Sequence, residues 1–170
     1  MDELIRGWIV AHRVAGLDAP MWALSEIARG GAIFIACGLA LWIANRCTPR
    51  AFLELVLAIA LAAFVSDAVL KPLVGRMRPF TRDSVHSIIG RLPKSMSFPS
   101  GHTANAVAGA VALSAIAPGA RVVWWALAAG VGYSRMYLGL HYPLDVLGGA
   151  IVGFLAAVLA GLIVRKPKPV

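Results

Sequence analysis

Apolar residues in this chain gather into long runs, and the polar and proline-bearing stretches between them mark where helices end. From Gly30 to Asn45 the chain is apolar almost without a break, and Asp18 with Pro20 supplies a start signal, so the pattern predicts a first helix over about 20–45. The turn Arg46-Cys47-Thr48-Pro49-Arg50 separates it from a second run at 51–70. A third helix is expected from Gly101 to Pro118, a fourth from Arg121 to Gly139 and a fifth from Pro143 to Val164. Runs of roughly 20 apolar residues suit the hydrocarbon core of a bilayer. The third is shorter and built of Ala, Gly, Val and Asn, which suits a central position where small residues let backbones approach. At the start, residues 1–16 put Leu4, Ile5, Trp8 and Ile9 on one helical stripe, with Arg6 and Arg13 elsewhere. That is the pattern of a short amphipathic helix lying in the membrane interface. The expected fold is all-α: a polytopic membrane helix bundle of about five transmembrane helices plus the interfacial helix. With no internal repeat or low-complexity tract, residues 1–170 read as one domain.

Composition agrees with a membrane setting. Hydrophobic residues make up 59% of the chain and the mean hydropathy is +0.78, above the range of soluble globules. Lys and Arg outnumber Asp and Glu 16 to 8. A nucleic-acid surface would need those cations on a solvated face. Here they punctuate apolar runs, so the expected partners are the lipid bilayer and an anionic membrane ligand, not nucleic acid. Cys37 and Cys47 fall in or at the end of one predicted helix, ten residues or roughly 15 Å apart, too far for a disulfide. Asp2 and Glu3 replace the basic region that would open a signal peptide, so none is expected.

Five spans in series alternate between two faces. The end of the second, the start of the third, the end of the fourth and the start of the fifth therefore share one side, and the unusual polar clusters fall at those places. Residues 71–100 form a long polar stretch with Pro72, Pro79, Pro93 and Pro99, of the length that usually carries function. It contains Lys71 and Arg78, which taken alone read as juxtamembrane cations. Ser100 and Gly101 open the third helix and can present backbone N–H groups to an anion, with His102 in the first turn. In isolation they read equally well as an ordinary cap with a solvated histidine. Arg135 closes the fourth helix, His141 lies in the turn, and Asp145 stands in the first turn of the fifth. Asp145 there either complements the helix dipole or fixes one nitrogen of His141, freeing the other for attack. Asp67 lies four residues before Lys71, an ion-pair spacing. Arg76, Arg82, Arg91 and Lys94 read as solvated loop cations, and Trp124 and Trp125 as interface anchors. Glu26 and Arg29 can pair within the first span, and the sequence leaves open whether they line a site. His12 and His86 are isolated from any acidic pair, so no metal or other cofactor is expected.

Lys71 with Arg78-Pro79, then Pro99-Ser100-Gly101-His102, then Ser134-Arg135 with His141 and Asp145, closely resembles the type-2 phosphatidic acid phosphatases. The resemblance implies a membrane enzyme that hydrolyses a lipid phosphate or diphosphate. It implies that His141 is the nucleophile, forming a phosphohistidine, and that Asp145 orients it. His102 would protonate the leaving oxygen and later activate water. Lys71, Arg78, Ser100, Gly101 and Arg135 would hold the phosphate oxygens. Arg78-Pro79-Phe80, Val85-His86 and Ser97-Phe98-Pro99 look most like the small bacterial undecaprenyl diphosphate phosphatases of that family. Phosphatidylglycerophosphate, phosphatidate and lipid A phosphatases share the motifs and stay open. So, at lower weight, do the vanadium haloperoxidases, which resemble the family at these positions, and a non-enzymatic binder of lipid anions. Arg46, Arg50, Arg121, Arg165, Lys166 and Lys168 lie on the other face. Positive-inside reasoning puts that face in the cytoplasm, and the site on the outer side of a bacterial inner membrane.

Overall fold

The computed structural model describes residues 1–81 and 88–164, and among these the regular elements are all helical. In order they are α1 (Asp2–Ala11), α2 (Asp18–Ile27), α3 (Ala32–Ile43), α4 (Pro49–Ala63), α5 (Lys71–Val74), α6 (Gly101–Ile116), α7 (Arg121–Tyr137) and α8 (Pro143–Val164). Arg82, Val85, His86 and the tail cations Arg165, Lys166 and Lys168, all singled out in the sequence, lie outside the described residues.

The expected first span is broken. α2 and α3 meet at 52° across a short 3-10 turn, Arg29–Gly31. Gly30 and Gly31 there take φ of 61° and 76°, which glycine adopts without a Cβ penalty. A Cβ on Gly31 would also sit 2.7 Å from the Ile59 side chain. Asp18, expected to cap α2, instead accepts a hydrogen bond from the Tyr137 hydroxyl at 2.7 Å.

α4 begins under a Thr48 cap, whose Oγ1 accepts from the Ala51 N–H at 3.1 Å, with Pro49 in the first turn. It continues into α5 through a π-helical segment, Phe64–Leu70. Pro72 explains the widening. It lacks an N–H and its ring crowds the carbonyl four residues back, so the helix passes it with a looser turn. Lys71 thus sits inside a helix instead of at its end.

α6 is the axis of the bundle, packed on α4, α7 and α8 and buried over most of its length. Its residues are almost all small, and α8 answers with glycines. A Cβ on Gly153 would lie 2.2 Å from the Ala104 carbonyl oxygen, and one on Gly149 2.4 Å from that of Ser100. Phe34 of α3 fills the hollow over Gly109. Among the described residues two helices can cross a membrane by length and composition, Pro49–Thr81 and Pro143–Val164, and a third if the bent α2–α3 pair counts as one. α6 and α7, at 16 and 17 residues, reach only about 24–26 Å.

α1 lies across the end of the bundle where α7 stops and α8 starts. The predicted stripe splits: Leu4, Ile5 and Trp8 are exposed, whereas Ile9 is buried against Tyr137, Leu138 and Leu140.

Candidate active site

Each side chain of the sequence constellation arrives at one end of the bundle, as the alternation of spans required. Lys71, Arg78, Gly101, His102, Arg135 and His141 line a single cavity of about 490 Å³. Asp145 stands behind it, fully buried, and Ser100 is buried at the helix start. The bent α2–α3 segment supplies the opposite wall through Trp22, Ser25, Glu26, Arg29 and Gly30. Arg29 and Glu26 do pair, at 2.6 and 2.7 Å.

His141 sits in the turn before α8 and is 1% exposed. Its Nδ1 is 3.4 Å from Asp145 Oδ2, and the Arg78 guanidinium stands 3.2 Å from its Nε2. A guanidinium can only donate, so Nε2 must be the unprotonated nitrogen and the Nδ1–H faces Asp145. The lone pair of Nε2 therefore faces Arg78 at the cavity wall. Burial, with Arg78 and Arg135 adding to it and Asp145 opposing, pushes His141 down from 6.5 to about 3. The imidazole is neutral across the physiological range.

Asp145 is held from several sides. Ser97 Oγ donates to its Oδ2 at 2.5 Å and the Tyr142 N–H at 3.0 Å. Arg76 donates to its Oδ1 at 2.7 Å. That last contact corrects the sequence reading of Arg76 as a solvated cation: it is engaged with a fully buried carboxylate. The expectation for Arg91 also changes, since its exposed side chain lines the cavity, whereas Lys94 is exposed and away from it.

The cations differ in how much capacity they keep. Arg78 spends its donors on Ser95 O at 2.6 Å, Leu140 O at 2.9 Å, Ser95 Oγ at 3.1 Å and Met96 O at 3.2 Å. Lys71 pairs with Asp67 at 2.5 Å, the predicted ion pair, and reaches Ser95 Oγ at 3.4 Å. Arg135 is different. One of its terminal nitrogens donates to Ser25 Oγ, but its buried Nε has no hydrogen-bond partner. His102 Nε2 and Asn105 Oδ1, on the same wall, are equally unsatisfied. Buried polar groups without partners are rare, and here a donor (Arg135 Nε), an acceptor (Asn105 Oδ1) and an imidazole nitrogen (His102 Nε2) converge on a hollow. Ser100 caps α6 through Thr103, and its own N–H is taken by Asp145 O at 2.9 Å. It is absent from the described lining, so its hydroxyl serves the helix start while the Gly101 residue faces the cavity.

Sequence reasoning gave no site role to Asp2, Ser25, Ser97 and Asn105, and read Arg76 as a solvated loop cation. Asn105 carried a signal, a polar side chain within an otherwise small apolar helix. Ser25 and Ser97 carried none, because their roles depend on contacts far away in the chain.

Comparison with known proteins gives a family and a fold likeness. The PAP2 superfamily model matches residues 51–168. A lipid A 4'-phosphatase of Bacteroides thetaiotaomicron is 39% identical over 58% of this chain, which spans only 48% of that protein. The undecaprenyl-diphosphatase BcrC of Bacillus subtilis is 28% identical over 88% of this chain and 76% of its own length. The crystal structure of a transmembrane PAP2-type phosphatidylglycerolphosphate phosphatase of Bacillus subtilis superposes with a TM-score of 0.76. It is 27% identical, over 98% of this chain and 86% of that one.

Proposed function

This chain belongs to the PAP2 superfamily, and from that premise we propose that it is a metal-independent membrane phosphatase acting on a lipid phosphate or diphosphate. The observation that carries the reading is the pair of unsatisfied buried groups, Arg135 Nε and His102 Nε2, facing one cavity beside the lone pair of His141. An anion's oxygens satisfy the first, and a leaving oxygen the second.

In the reaction, His141 Nε2 attacks the terminal phosphorus in line with its bond to the leaving oxygen, which is the lipid oxygen of a monophosphate or the bridging oxygen of a diphosphate. That P–O bond breaks, and protonated His102 gives its proton to the departing oxygen. A phosphohistidine remains at His141, with Asp145 retaining the Nδ1–H. Neutral His102 then takes a proton from water as the water oxygen attacks phosphorus; the P–Nε2 bond breaks, its electron pair returns to His141, and inorganic phosphate leaves. Lys71, Arg78, Arg135 and the Gly101 amide bear the charge on the phosphate oxygens, with Ser100 keeping that helix start in place. Five segments cross the bilayer in this reading: the bent α2–α3 pair, α4, α6, α7 and α8. α1 lies in the interface, and the site faces outward from a bacterial inner membrane.

Undecaprenyl diphosphate is the favoured substrate, supported by the coverage of the undecaprenyl-diphosphatase relative. Phosphatidylglycerophosphate is the second reading, supported by the fold likeness over nearly the whole chain. The test is phosphate release by the detergent-solubilised protein, in excess chelator, from prenyl diphosphate, phosphatidylglycerophosphate, phosphatidate and lipid A. The diphosphate should show the highest kcat/KM. Release only after a divalent ion is restored would overturn the metal-free mechanism, and no release from any lipid would overturn the function.

A further inference from the structure

Asp145 is anchored on its far side by a group that the reaction above does not use. Arg76 Nη1 lies 2.7 Å from Asp145 Oδ1, and Arg76 Nη2 lies 2.5 Å from Asp2 Oδ2 in α1. The guanidinium also stacks 4.1 Å above the Tyr142 ring. Asp2 makes a second tie, its Oδ1 accepting from the Leu144 N–H at 2.9 Å in the first turn of α8. Neither partner of Asp145 in this chain of contacts is freely solvated, with side-chain exposures of 16% for Asp2 and 29% for Arg76, and Asp145 itself has none. A flat, five-donor guanidinium is suited to bridging two carboxylates in fixed geometry, which a lysine cannot copy.

We propose that Asp2 and Arg76 are positioning residues that aim His141, acting through Asp145. This rests on the reading of His141 as nucleophile. Two carboxylates at opposite edges of one guanidinium fix where Asp145 Oδ1 lies. With Oδ1 fixed, Oδ2 can face only Ser97, Tyr142 N–H and the Nδ1–H of His141. The tautomer that leaves Nε2 bare at the cavity wall follows from that orientation. α1 contributes to the site at a distance, because Ile9 holds the helix on Tyr137, Leu138 and Leu140 while Asp2 grips Arg76. The charged groups facing this pair are Arg76 and Arg78 from the stretch after α5, Arg135 from α7, His102 from α6 and Asp2 from α1.

The experiment compares the full chain with Arg76→Gln, Arg76→Lys, Asp2→Asn and the double variant Asp2→Asn/Arg76→Gln. Losing the anchor should lower kcat by about 10²-fold in Arg76→Gln, the scale of a misplaced reacting group. Arg76→Lys should lose less, and KM should stay within about three-fold of wild type in both. Removing the cation leaves Asp145 less compensated, so His141 protonates more easily and the acid limb of the rate should move to higher pH. Asp2→Asn should lose less than Arg76→Gln, and the double variant should be no worse than Arg76→Gln alone, because both cut one line of contact. Wild-type kcat in Arg76→Gln with an unmoved acid limb would overturn the proposal. So would a raised KM at unchanged kcat, which would make Arg76 a substrate contact, or additive losses in the double variant. A readout without turnover separates this from the function itself. The ¹⁵N shifts of His141, assigned with His141→Gln, should report one Nδ1-protonated tautomer in wild type and a mixture in Arg76→Gln. An unchanged tautomer overturns the positioning role. A wild-type protein silent on every lipid overturns the phosphatase reading and leaves this measurement standing.

Discussion

At the scale of single residues the two histidines are set apart by what surrounds them. His141 is gripped by Asp145 and faced by Arg78, whereas His102 Nε2 has no partner. His141→Ala should therefore abolish turnover on every substrate and prevent any phosphoenzyme. His102→Ala should lose about 10²–10⁴-fold on alkyl monophosphates, whose leaving oxygen needs a proton. It should lose far less on an aryl phosphate, and should accumulate acid-labile phosphohistidine after rapid quenching. Equal losses on both substrate types, with label at position 102, would mean the roles are reversed. Because burial lowers His141 to about 3, its imidazole keeps the neutral form as pH falls toward that value and protonates only below it. Its ¹⁵N shifts should stay flat between about pH 5 and 8, and a midpoint near the ordinary 6.5 would contradict the buried environment. Most residues of the candidate site were legible because their types are out of place in apolar runs: Lys71, His102, Arg135, His141 and Asp145 interrupt a hydrophobic pattern. Arg76 shows the limit. Its neighbours in sequence mark it as loop, and its partners Asp2 and Asp145 are 74 and 69 residues away.

Among elements, the helix ends follow local chemistry and the helix bends follow distant packing. Thr48-Pro49 and Ser100-Gly101 announce the starts of α4 and α6, and Pro143 that of α8. The break at Gly30–Gly31 was hidden inside an unbroken apolar run, because hydropathy records composition and not φ. Ile59, a residue of another helix, crowds the place of a side chain at Gly31, while at Gly30 only the positive φ favours glycine. The small residues of α6 announced a central position, and the close approach of α8 at Gly153 is the reason they must be small. Gly153→Ala should destabilise the folded protein by about 1–3 kcal/mol, since the added methyl meets backbone that cannot step aside. Gly7→Ala is the control, because nothing lies within 4 Å of that Cβ. Thermal unfolding in detergent should separate the two, and equal midpoints would mean that α6 and α8 can part without cost.

For the whole molecule, the alternation of helices was enough to gather the site at one end, although two of the predicted spans prove short for a bilayer core. The outward orientation can be tested with Lys94→Cys in a background lacking Cys37 and Cys47, since Lys94 is exposed at the site end. An impermeant maleimide should label it in intact cells, and labelling only after lysis would reverse the topology. The cavity has a further consequence. At about 490 Å³ it is sized for a headgroup, and the hydrocarbon of a long isoprenoid has no room inside it. The enzyme would then meet its substrate as a two-dimensional solute, with the tail never leaving the lipid phase and only phosphate crossing into water. Its velocity should follow the mole fraction of substrate in the micelle or vesicle. Diluting the surface with inert detergent at constant bulk substrate should slow it, and lengthening the tail beyond what anchors the lipid should change nothing.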